Sequence, residues 1–342
     1  MKKTVSMLAV LLSALLSACG GSSSTANSKP GAPVTVNVGE SIVTVSNAAI
    51  YVAMDKGYFK DENINFNLTT LQSGATATQA IASGSIDYAL AGSFDIATAA
   101  GQGIPLQAVV ANVGITMEVC ASKKFASDND LTPSSSIDQI MTAFKGKTLG
   151  ITGPHSAPDL VLRYLLLKYG NLKPDTDVKI VALGSVPAEL TALQRGQIDG
   201  FIQSPPGCEQ AAAAGTGVML SRVGRLPGLN SVPQGVLYSR KDYLQSHADQ
   251  TRRVVAAIAR GDDYVRSNTE GTLAILKKYF KTIDDATLRE LLTGLIQPIV
   301  PKDGKMTQRE WDTISNMLQI QGAISTKLDT KEGNLWTNAY NK

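Results

Sequence analysis

The strongest constraint on this chain is an internal repeat. Ala-Ser-Gly-Ser-Ile-Asp at 82–87 returns as Gln-Arg-Gly-Gln-Ile-Asp at 194–199, and the same offset upstream, without gaps, places Ser73 on Ser185. A repeated strand-helix-strand unit of this length predicts two similar α/β lobes rather than one continuous sheet. Ligands of such sheets bind beyond the carboxyl ends of the strands, so two facing lobes would share one cleft. The alternative is a duplicated scaffold without a cleft.

Three motifs, taken in order, resemble a known family. They are the run YVAMDKGYFK at 51–60, ASGSID at 82–87 and FKGKTLG at 144–150. Together they resemble the nitrate/sulfonate/taurine-type solute-binding proteins of ABC importers, a family that also holds binders of thiamine pyrimidine precursors. The resemblance implies an α/β fold of the periplasmic-binding-protein type II kind, with two Rossmann-like lobes joined by two crossing strands. It also implies an ABC permease and its ATPase as partners.

The N-terminus has the pattern of a bacterial lipoprotein. Residues 1–18 combine two lysines with an apolar core that is too short for a membrane span, which is typical of a signal peptide. Leu-Ser-Ala before Cys19 resembles a lipobox, so we expect lipid on Cys19 and a flexible Gly/Ser-rich tether over 19–33. The protein would then be anchored to the bacterial cell membrane, facing the periplasm or the exterior. An ordinary signal peptide that happens to precede a cysteine is the alternative.

Composition argues against some partners and leaves one question open. The chain has 32 basic and 29 acidic residues and no basic run, which argues against nucleic acid. In an exported protein, Cys120 and Cys208 could pair. Two unpaired buried cysteines are an equal alternative, because spacing alone does not decide. We expect a monomer.

Two stretches are expected to connect the lobes. GITMEVCASKK at 114–124 and GVLYSRK at 235–241 share a glycine, a β-prone run and a serine followed by basic residues. Two crossing strands form a hinge that permits closure over a ligand. This predicts lobe one from residues 34–112 and 235–342, and lobe two from 113–234. The helices after residue 246 are expected to pack on lobe one.

The sequence offers no complete enzyme motif. Lys145-Gly-Lys-Thr148 lacks the earlier glycine of a phosphate loop, since that position is Met141. Only two histidines occur, without a Cys-x-x-Cys pair, so no zinc pattern exists. Asp87 and Asp199 occupy equivalent positions of the repeat at strand starts, which favours turn capping over acid/base chemistry. We therefore expect a binding protein without a cofactor or metal; an exported enzyme of the same fold is a weaker alternative.

The loops that the repeat places at strand ends predict the ligand pocket. The expected ligand-binding residues are Ser46, Asn47, Ser73, Gly74, Ser93, Phe94, Glu118, His155, Ser156, Gln203 and Ser204. Hydroxyl groups and helix N-terminal amides dominate this set, and it contains no lysine or arginine. Such donors can hold an oxoanion without a counter-ion, so a sulfonate-like oxoanion is the first expectation. A neutral heteroaromatic such as a pyrimidine is the second, with Glu118 suited to its amino group.

Overall fold

A computed structural model of the protein describes residues 32–71, 73–229 and 232–341. The predicted signal peptide, Cys19 and the tether up to residue 31 lie outside the described residues. Within the described ranges, none of the helices combines the length and the apolar character that a membrane span requires.

Ten strands in the described residues form two five-stranded sheets. Sheet A contains β1 (Val34–Glu40), β2 (Ile64–Thr70), β3 (Tyr88–Gly92), β4 (Leu106–Gly114) and β10 (Pro233–Arg240). Sheet B contains β5 (Glu118–Ser122), β6 (Thr148–Ile151), β7 (Lys179–Ala182), β8 (Gly200–Gln203) and β9 (Gly217–Arg222). The spatial orders are β2-β1-β3-β10-β4 and β7-β6-β8-β5-β9.

The two sheets share one topology. In each sheet the first three strands of the spatial order are parallel, and the fourth, β10 or β5, runs antiparallel to its neighbours. That fourth strand overlaps a predicted crossing in each sheet, because β5 lies within 114–124 and β10 covers 235–240. The chain returns from sheet B to sheet A between the end of β9 and the start of β10, ahead of the predicted stretch 235–241. The predicted pair of similar α/β units is therefore confirmed. The exact lobe boundaries stay a prediction.

Helices connect the strands and flank the sheets. The α-helices of the described residues are α1 (Ala48–Asp55), α2 (Tyr58–Asp61), α3 (Gly74–Ser83), α4 (Ser93–Gly101), α5 (Lys123–Asp128), α6 (Ile137–Ala143), α7 (Ala157–Lys168), α8 (Val186–Gln194), α9 (Gly207–Ala213), α10 (Lys241–Ser246), α11 (Ala248–Ser267), α12 (Thr269–Tyr279), α13 (Asp285–Leu291) and α14 (Gln308–Ile320). Short 3-10 turns occupy Val45–Asn47, Val223–Arg225, Gln297–Ile299 and Lys302–Gly304, and Leu292–Ile296 forms a π-helical turn.

Equivalent positions of the repeat carry equivalent caps. Ser73 accepts a hydrogen bond from the amide of Thr76 at the start of α3, and Ser185 accepts one from Ala188 at the start of α8. Each serine oxygen satisfies an amide that the helix itself cannot pair. The helix after Ser73 ends at Gly84, whose φ of 74° suits glycine.

The two repeat aspartates are structural. Asp87 Oδ2 accepts the amide of Asn37 at 2.7 Å, and Asp199 Oδ2 accepts the amide of Thr148 at 2.9 Å. Each carboxylate therefore binds a backbone amide of the neighbouring strand of its own sheet, in the middle of β1 for Asp87 and at the start of β6 for Asp199. The interpretation as a cap holds for Asp199, whereas Asp87 stabilises the middle of β1.

The C-terminal segment packs more widely than predicted. At the start of α14, Glu310 accepts the amide of Thr307 at 2.8 Å, as in a capping box. Trp336 is buried and donates to the carbonyl of Thr330, which holds the C-terminal segment against the protein. However, Gln321, just after α14, donates to the carbonyl of Leu160 in α7, beside sheet B. The helices after residue 246 therefore do not pack on the sheet A side alone.

Cys120 and Cys208 are both buried and unpaired in the structure. They belong to one cluster of buried apolar side chains beneath α8 and α9, together with Phe201 and Leu193. Of the two alternatives left open by the sequence, the structure contains the buried free thiols.

Candidate ligand-binding site

A cavity of about 490 Å³ lies between the two sheets. Its wall on the sheet A side includes Thr70 at the end of β2 and Gly92 at the end of β3. Its opposite wall includes Thr152, just after β6, and Gln203 at the end of β8. The cavity therefore occupies the carboxyl ends of parallel strands in both sheets, where α/β sheets bind their ligands. The alternative of a repeat without a cleft does not hold.

Seven of the eleven predicted ligand-binding residues line this cavity. They are Ser46, Asn47, Ser73, Gly74, Ser156, Gln203 and Ser204. All seven lie in a loop after a strand, at the end of a strand or in the first turn of a helix. The repeat predicted this part of the wall because it identified where the parallel strands end.

The other four predicted residues do not line the cavity. Ser93 and Phe94 are fully buried, because α4 begins directly at Ser93 and turns both side chains into the protein. His155 is exposed, has a positive φ of 62° and donates its amide to Asp159. Glu118 is buried in an ion pair away from the cavity wall.

Several lining residues were missed by the sequence analysis. They include Thr70, Asp95, Asn112, Ser185, Gln234 and Tyr279. Ser185 could have been found, because it is the repeat counterpart of Ser73. Tyr279 and its neighbours Phe280 and Thr282 come from the connection between α12 and α13, and nothing in the repeat points to them.

The starts of several helices face the cavity. Gly74 at the start of α3, Ala157 at the start of α7 and Val186 at the start of α8 all line it. Helix N-termini carry partial positive charge and amides that the helix does not pair. The cavity therefore offers positive potential from the backbone. No lysine, arginine or histidine occurs among the described lining residues.

Hydrogen bonds link Ser46 and Ser204 of the cavity wall to the first crossing and to the start of β10. Ser46 Oγ lies 2.7 Å from Thr116 Oγ1, and Gln234 Nε2 donates to Ser204 Oγ at 2.6 Å. The amide of Thr116 in turn donates to Gln234 Oε1 at 2.8 Å. Thr116 lies in the connection between β4 and β5, and Gln234 is the second residue of β10. Ser46 and Ser204 are therefore already hydrogen-bonded to Thr116 and Gln234.

Asp95 is the charged side chain among the described lining residues. It lies in the first turn of α4, is 5% exposed, and its Oδ2 accepts the amide of Gly92 at 2.9 Å. Burial raises the pKa of this carboxyl to about 7, although the hydrogen bond from Gly92 lowers it. The carboxyl therefore changes its charge near neutral pH.

Gly74 makes room for that carboxyl. A Cβ at this position would lie 2.3 Å from Asp95 Oδ2, which is far inside van der Waals contact. We expect Gly74→Ala to lower the free energy of unfolding by about 1–3 kcal/mol, the usual cost of overpacking. Gly153→Ala is the matched control, since a Cβ there meets nothing within 4 Å. Equal urea midpoints for the two variants would contradict this expectation.

A cluster of charged side chains joins the two sheet regions beside the cavity. Arg222 at the end of β9 donates to Glu118 at 3.0 Å and to both oxygens of Glu290 on α13 at 2.7 and 2.8 Å. The side chains of Arg222 and Glu118 are only 6% and 0% exposed. Burial and the nearby carboxyl of Glu209 raise the pKa of Glu118, whereas Arg222 lowers it.

Comparisons with known proteins agree with this architecture. YtlA, a candidate binding protein of Bacillus subtilis strain 168, is 22% identical over 291 residues, or 84% of each chain. The periplasmic nitrate-binding protein NrtA of Synechocystis PCC 6803 superposes with a TM-score of 0.70 at 15% identity, over 87% of this chain and 84% of NrtA. The alkanesulfonate-binding protein SsuA of Xanthomonas axonopodis pv. citri, solved with MOPS bound, gives 0.68 at 16% identity, over 87% and 97%.

These likenesses confirm the periplasmic-binding-protein type of fold and the resemblance identified from the sequence motifs. The family model of the NMT1-like proteins matches residues 30–276, which include every strand of both sheets. The chain therefore belongs to the NMT1-like family.

Proposed function

We propose that this protein captures a small organic solute in the cavity between the sheets and delivers it to an ABC importer. The observation that carries the proposal is the position of the cavity at the carboxyl ends of both sheets. Its volume of about 490 Å³ falls in the usual range of small-molecule sites, roughly 300–1,000 Å³. An inorganic ion such as nitrate would fill only a small part of it.

Asp95 supports a ligand with a hydrogen-bond donor, such as an amino-substituted heteroaromatic. A carboxylate accepts from an amino group, whereas an oxoanion beside it would be repelled. Tyr279 adds an aromatic ring at the cavity and is itself partly exposed, so it can pack on a planar ligand. We therefore propose the neutral heteroaromatic, the second expectation from the sequence, ahead of the oxoanion. Glu118 is replaced by Asp95 as the acid of the site.

A sulfonate-like oxoanion is the second candidate. It is favoured by the converging N-termini of α3, α7 and α8, which suit negative charge. Asp95 would then have to be protonated, and its pKa of about 7 allows this below neutral pH. An alkanesulfonate-binding protein with the same fold adds support.

A ligand screen tests the function. Purified mature protein is heated with 4-aminopyrimidine and other amino-heteroaromatics, aliphatic sulfonates, nitrate, bicarbonate and aromatic acids. A ligand that binds only the folded state stabilises it by about 2.7 kcal/mol at one hundred times its Kd. We expect an amino-heteroaromatic to raise the melting temperature and to be recovered unchanged by mass spectrometry. Conversion of the compound would favour an exported enzyme, and stabilisation by sulfonates alone would favour the second candidate.

Anchoring and organisation complete the proposal. We infer that lipid on Cys19 holds the protein at the cell membrane through the tether of 19–33. We also infer a monomer whose lobes comprise 34–112 with 235–342, and 113–234. The two crossings would let these lobes close over the ligand before the protein meets the permease.

Cys19→Ser tests the anchor. We expect the variant to appear in the soluble fraction, because the Gly/Ser-rich tether has no apolar surface that could bind a membrane. The measurement is fractionation of washed membranes with an antibody against the protein. Cys208→Ser is the control and should remain with the membrane. A signal-cleaved Cys19→Ser protein that still sediments with membranes would contradict the anchor.

A further inference from the structure

Glu40 collects hydrogen bonds from three elements around the cavity. It is the last residue of β1, and it is 3% exposed. Its Oε2 accepts from Asn47 Nδ2 at 3.0 Å and from Tyr51 Oη at 2.9 Å, while its Oε1 accepts from Thr70 Oγ1 at 2.9 Å. One buried carboxyl group therefore orients side chains from a loop, a helix and a neighbouring strand.

Each of these partners reaches the ligand cavity. Asn47 and Thr70 line it directly. Tyr51 stacks on Tyr279, with ring centroids 4.1 Å apart and planes at 19°, and Tyr279 lines the cavity. Burial raises the pKa of the Tyr51 phenol well above its ordinary value, so the hydroxyl remains a donor to Glu40. A change at Glu40 would therefore reach the wall at three places.

The direction of the hydrogen bonds matters more than their number. Because Thr70 donates its hydroxyl hydrogen to Glu40, that hydrogen points away from the cavity. The hydroxyl oxygen of Thr70 can then only accept a hydrogen bond from a ligand. Both donor hydrogens of Asn47 are also directed into the protein, towards Glu40 and the carbonyl of Ile42. Its Oδ1 is an acceptor that Asn112 Nδ2 approaches at 3.4 Å. The wall on the sheet A side is thereby made rich in acceptors.

We propose that Glu40 is a positioning residue that sets the hydrogen-bond polarity of the cavity wall, so that the wall selects ligands with donor groups. This inference rests on the proposed function. Glu40 itself does not line the cavity, and it acts through Asn47, Thr70 and the Tyr51–Tyr279 stack.

Glu40→Gln reverses one of these hydrogen bonds without changing the shape of the side chain. The glutamine oxygen should remain on the side of Asn47 and Tyr51, because two donors meet there. The glutamine amide then faces Thr70 and donates to its oxygen, so the Thr70 hydroxyl turns to donate into the cavity. Loss of one acceptor and gain of one donor should change ligand preference about tenfold, the equivalent of one ordinary hydrogen bond.

Titration calorimetry with 4-aminopyrimidine and ethanesulfonate measures that preference. We expect Glu40→Gln to shift the ratio of the two affinities about tenfold towards ethanesulfonate. The double variant Glu40→Gln/Thr70→Val should have the same ratio of affinities as the single variant Thr70→Val, because the hydroxyl that Glu40→Gln reorients is then absent. If Glu40→Gln lowers the affinity for both probes equally, and adding Thr70→Val does not change their ratio, then Glu40 has only a structural role and the inference is overturned.

A measurement without ligand separates this inference from the proposed function. The side-chain amide of Asn47 is observed by NMR in protein labelled at asparagine nitrogen and assigned with Asn47→Asp. We expect slow hydrogen exchange in the wild type and in Glu40→Gln, and fast exchange in Glu40→Ala. The exposed Glu270→Gln is the control. Protection that survives in a folded Glu40→Ala overturns the positioning role. If neither probe binds the wild type while Asn47 behaves as expected, the ligand class fails and the positioning role stands.

Discussion

Arg222→Met is expected to lower the free energy of unfolding by about 3–5 kcal/mol near pH 8, because it leaves a buried carboxylate without its partner. Glu118 is completely buried, and Arg222 is the cation that pairs with it. Methionine keeps much of the apolar stem of arginine, so lost packing contributes little. Denaturation in urea at constant ionic strength measures the change.

The pH dependence of this loss identifies its cause. Burial and Glu209 already raise the pKa of Glu118 in the folded protein, and removal of Arg222 raises it further. An acid whose pKa is raised on folding makes the protein less stable as the pH rises above its unfolded value, about 4.3. The difference in the free energy of unfolding between wild type and Arg222→Met should therefore increase from about pH 5 to pH 8. Glu290, the other carboxyl of this cluster that Arg222 holds, has its pKa lowered by the hydrogen bond from Arg222 in the wild type.

Arg289→Met is the matched control for Arg222→Met. Arg289 also holds both oxygens of a carboxylate, that of Glu270, but this pair is exposed to solvent. Exposed ion pairs contribute little, so we expect almost no change in its urea midpoint. Similar losses for the two variants, or a loss independent of pH, would contradict the role given to Glu118.

Asp95→Asn is expected to weaken the binding of 4-aminopyrimidine about 10–100-fold, the usual effect of losing a hydrogen bond to a charged group. The same change should strengthen the binding of ethanesulfonate, because it removes a negative charge and adds an amide donor. The carboxyl of Asp95 lines the cavity and has a pKa raised to about 7 by burial. The two ligand classes therefore respond in opposite directions to one substitution.

The wild type should show the same contrast with pH. As the pH rises through about 7, Asp95 ionises, so affinity for 4-aminopyrimidine rises and affinity for ethanesulfonate falls. Asp95→Asn should abolish the pH dependence of both affinities, so this variant is the control for the wild type. Titration calorimetry near pH 6 and pH 8 measures all four affinities. An unchanged affinity for the bound class in Asp95→Asn would remove Asp95 from the site.

The sequence predicted the architecture because the fold is duplicated. Equivalent caps at Ser73 and Ser185, and equivalent carboxylates at Asp87 and Asp199, recur at one fixed offset, and a repeat of this kind places strand ends without any knowledge of the structure. Every predicted residue that lines the cavity lies at or near such a strand end. The second sheet and the shared cleft follow from the same pattern.

The rest of the site depends on side-chain direction and on distant parts of the chain. Ser93 and Asp95 both lie in the first turn of α4, two positions apart. The side chain of Ser93 is buried in the protein, whereas that of Asp95 lines the cavity. That difference follows from α4 starting with no intervening loop, which the sequence did not reveal. The sequence suggested that Glu118 could bind a ligand. In the structure Glu118 instead pairs with Arg222, which is 104 residues away in the chain. Tyr279 reaches the cavity only through tertiary packing.

The duplicated sheets also bear on how such a protein can diversify. Each sheet supplies its own wall of the cavity through its own loops, with Asp95 and Thr70 on one side and Gln203 and Ser185 on the other. Thr116 in the first connection donates its amide to Gln234 at the start of β10, and these four wall residues take no part in that contact. Substitutions at these wall positions in one half can therefore leave the other wall and the Thr116–Gln234 contact unchanged. Neutral drift in a single half of the molecule is enough to explore new ligands.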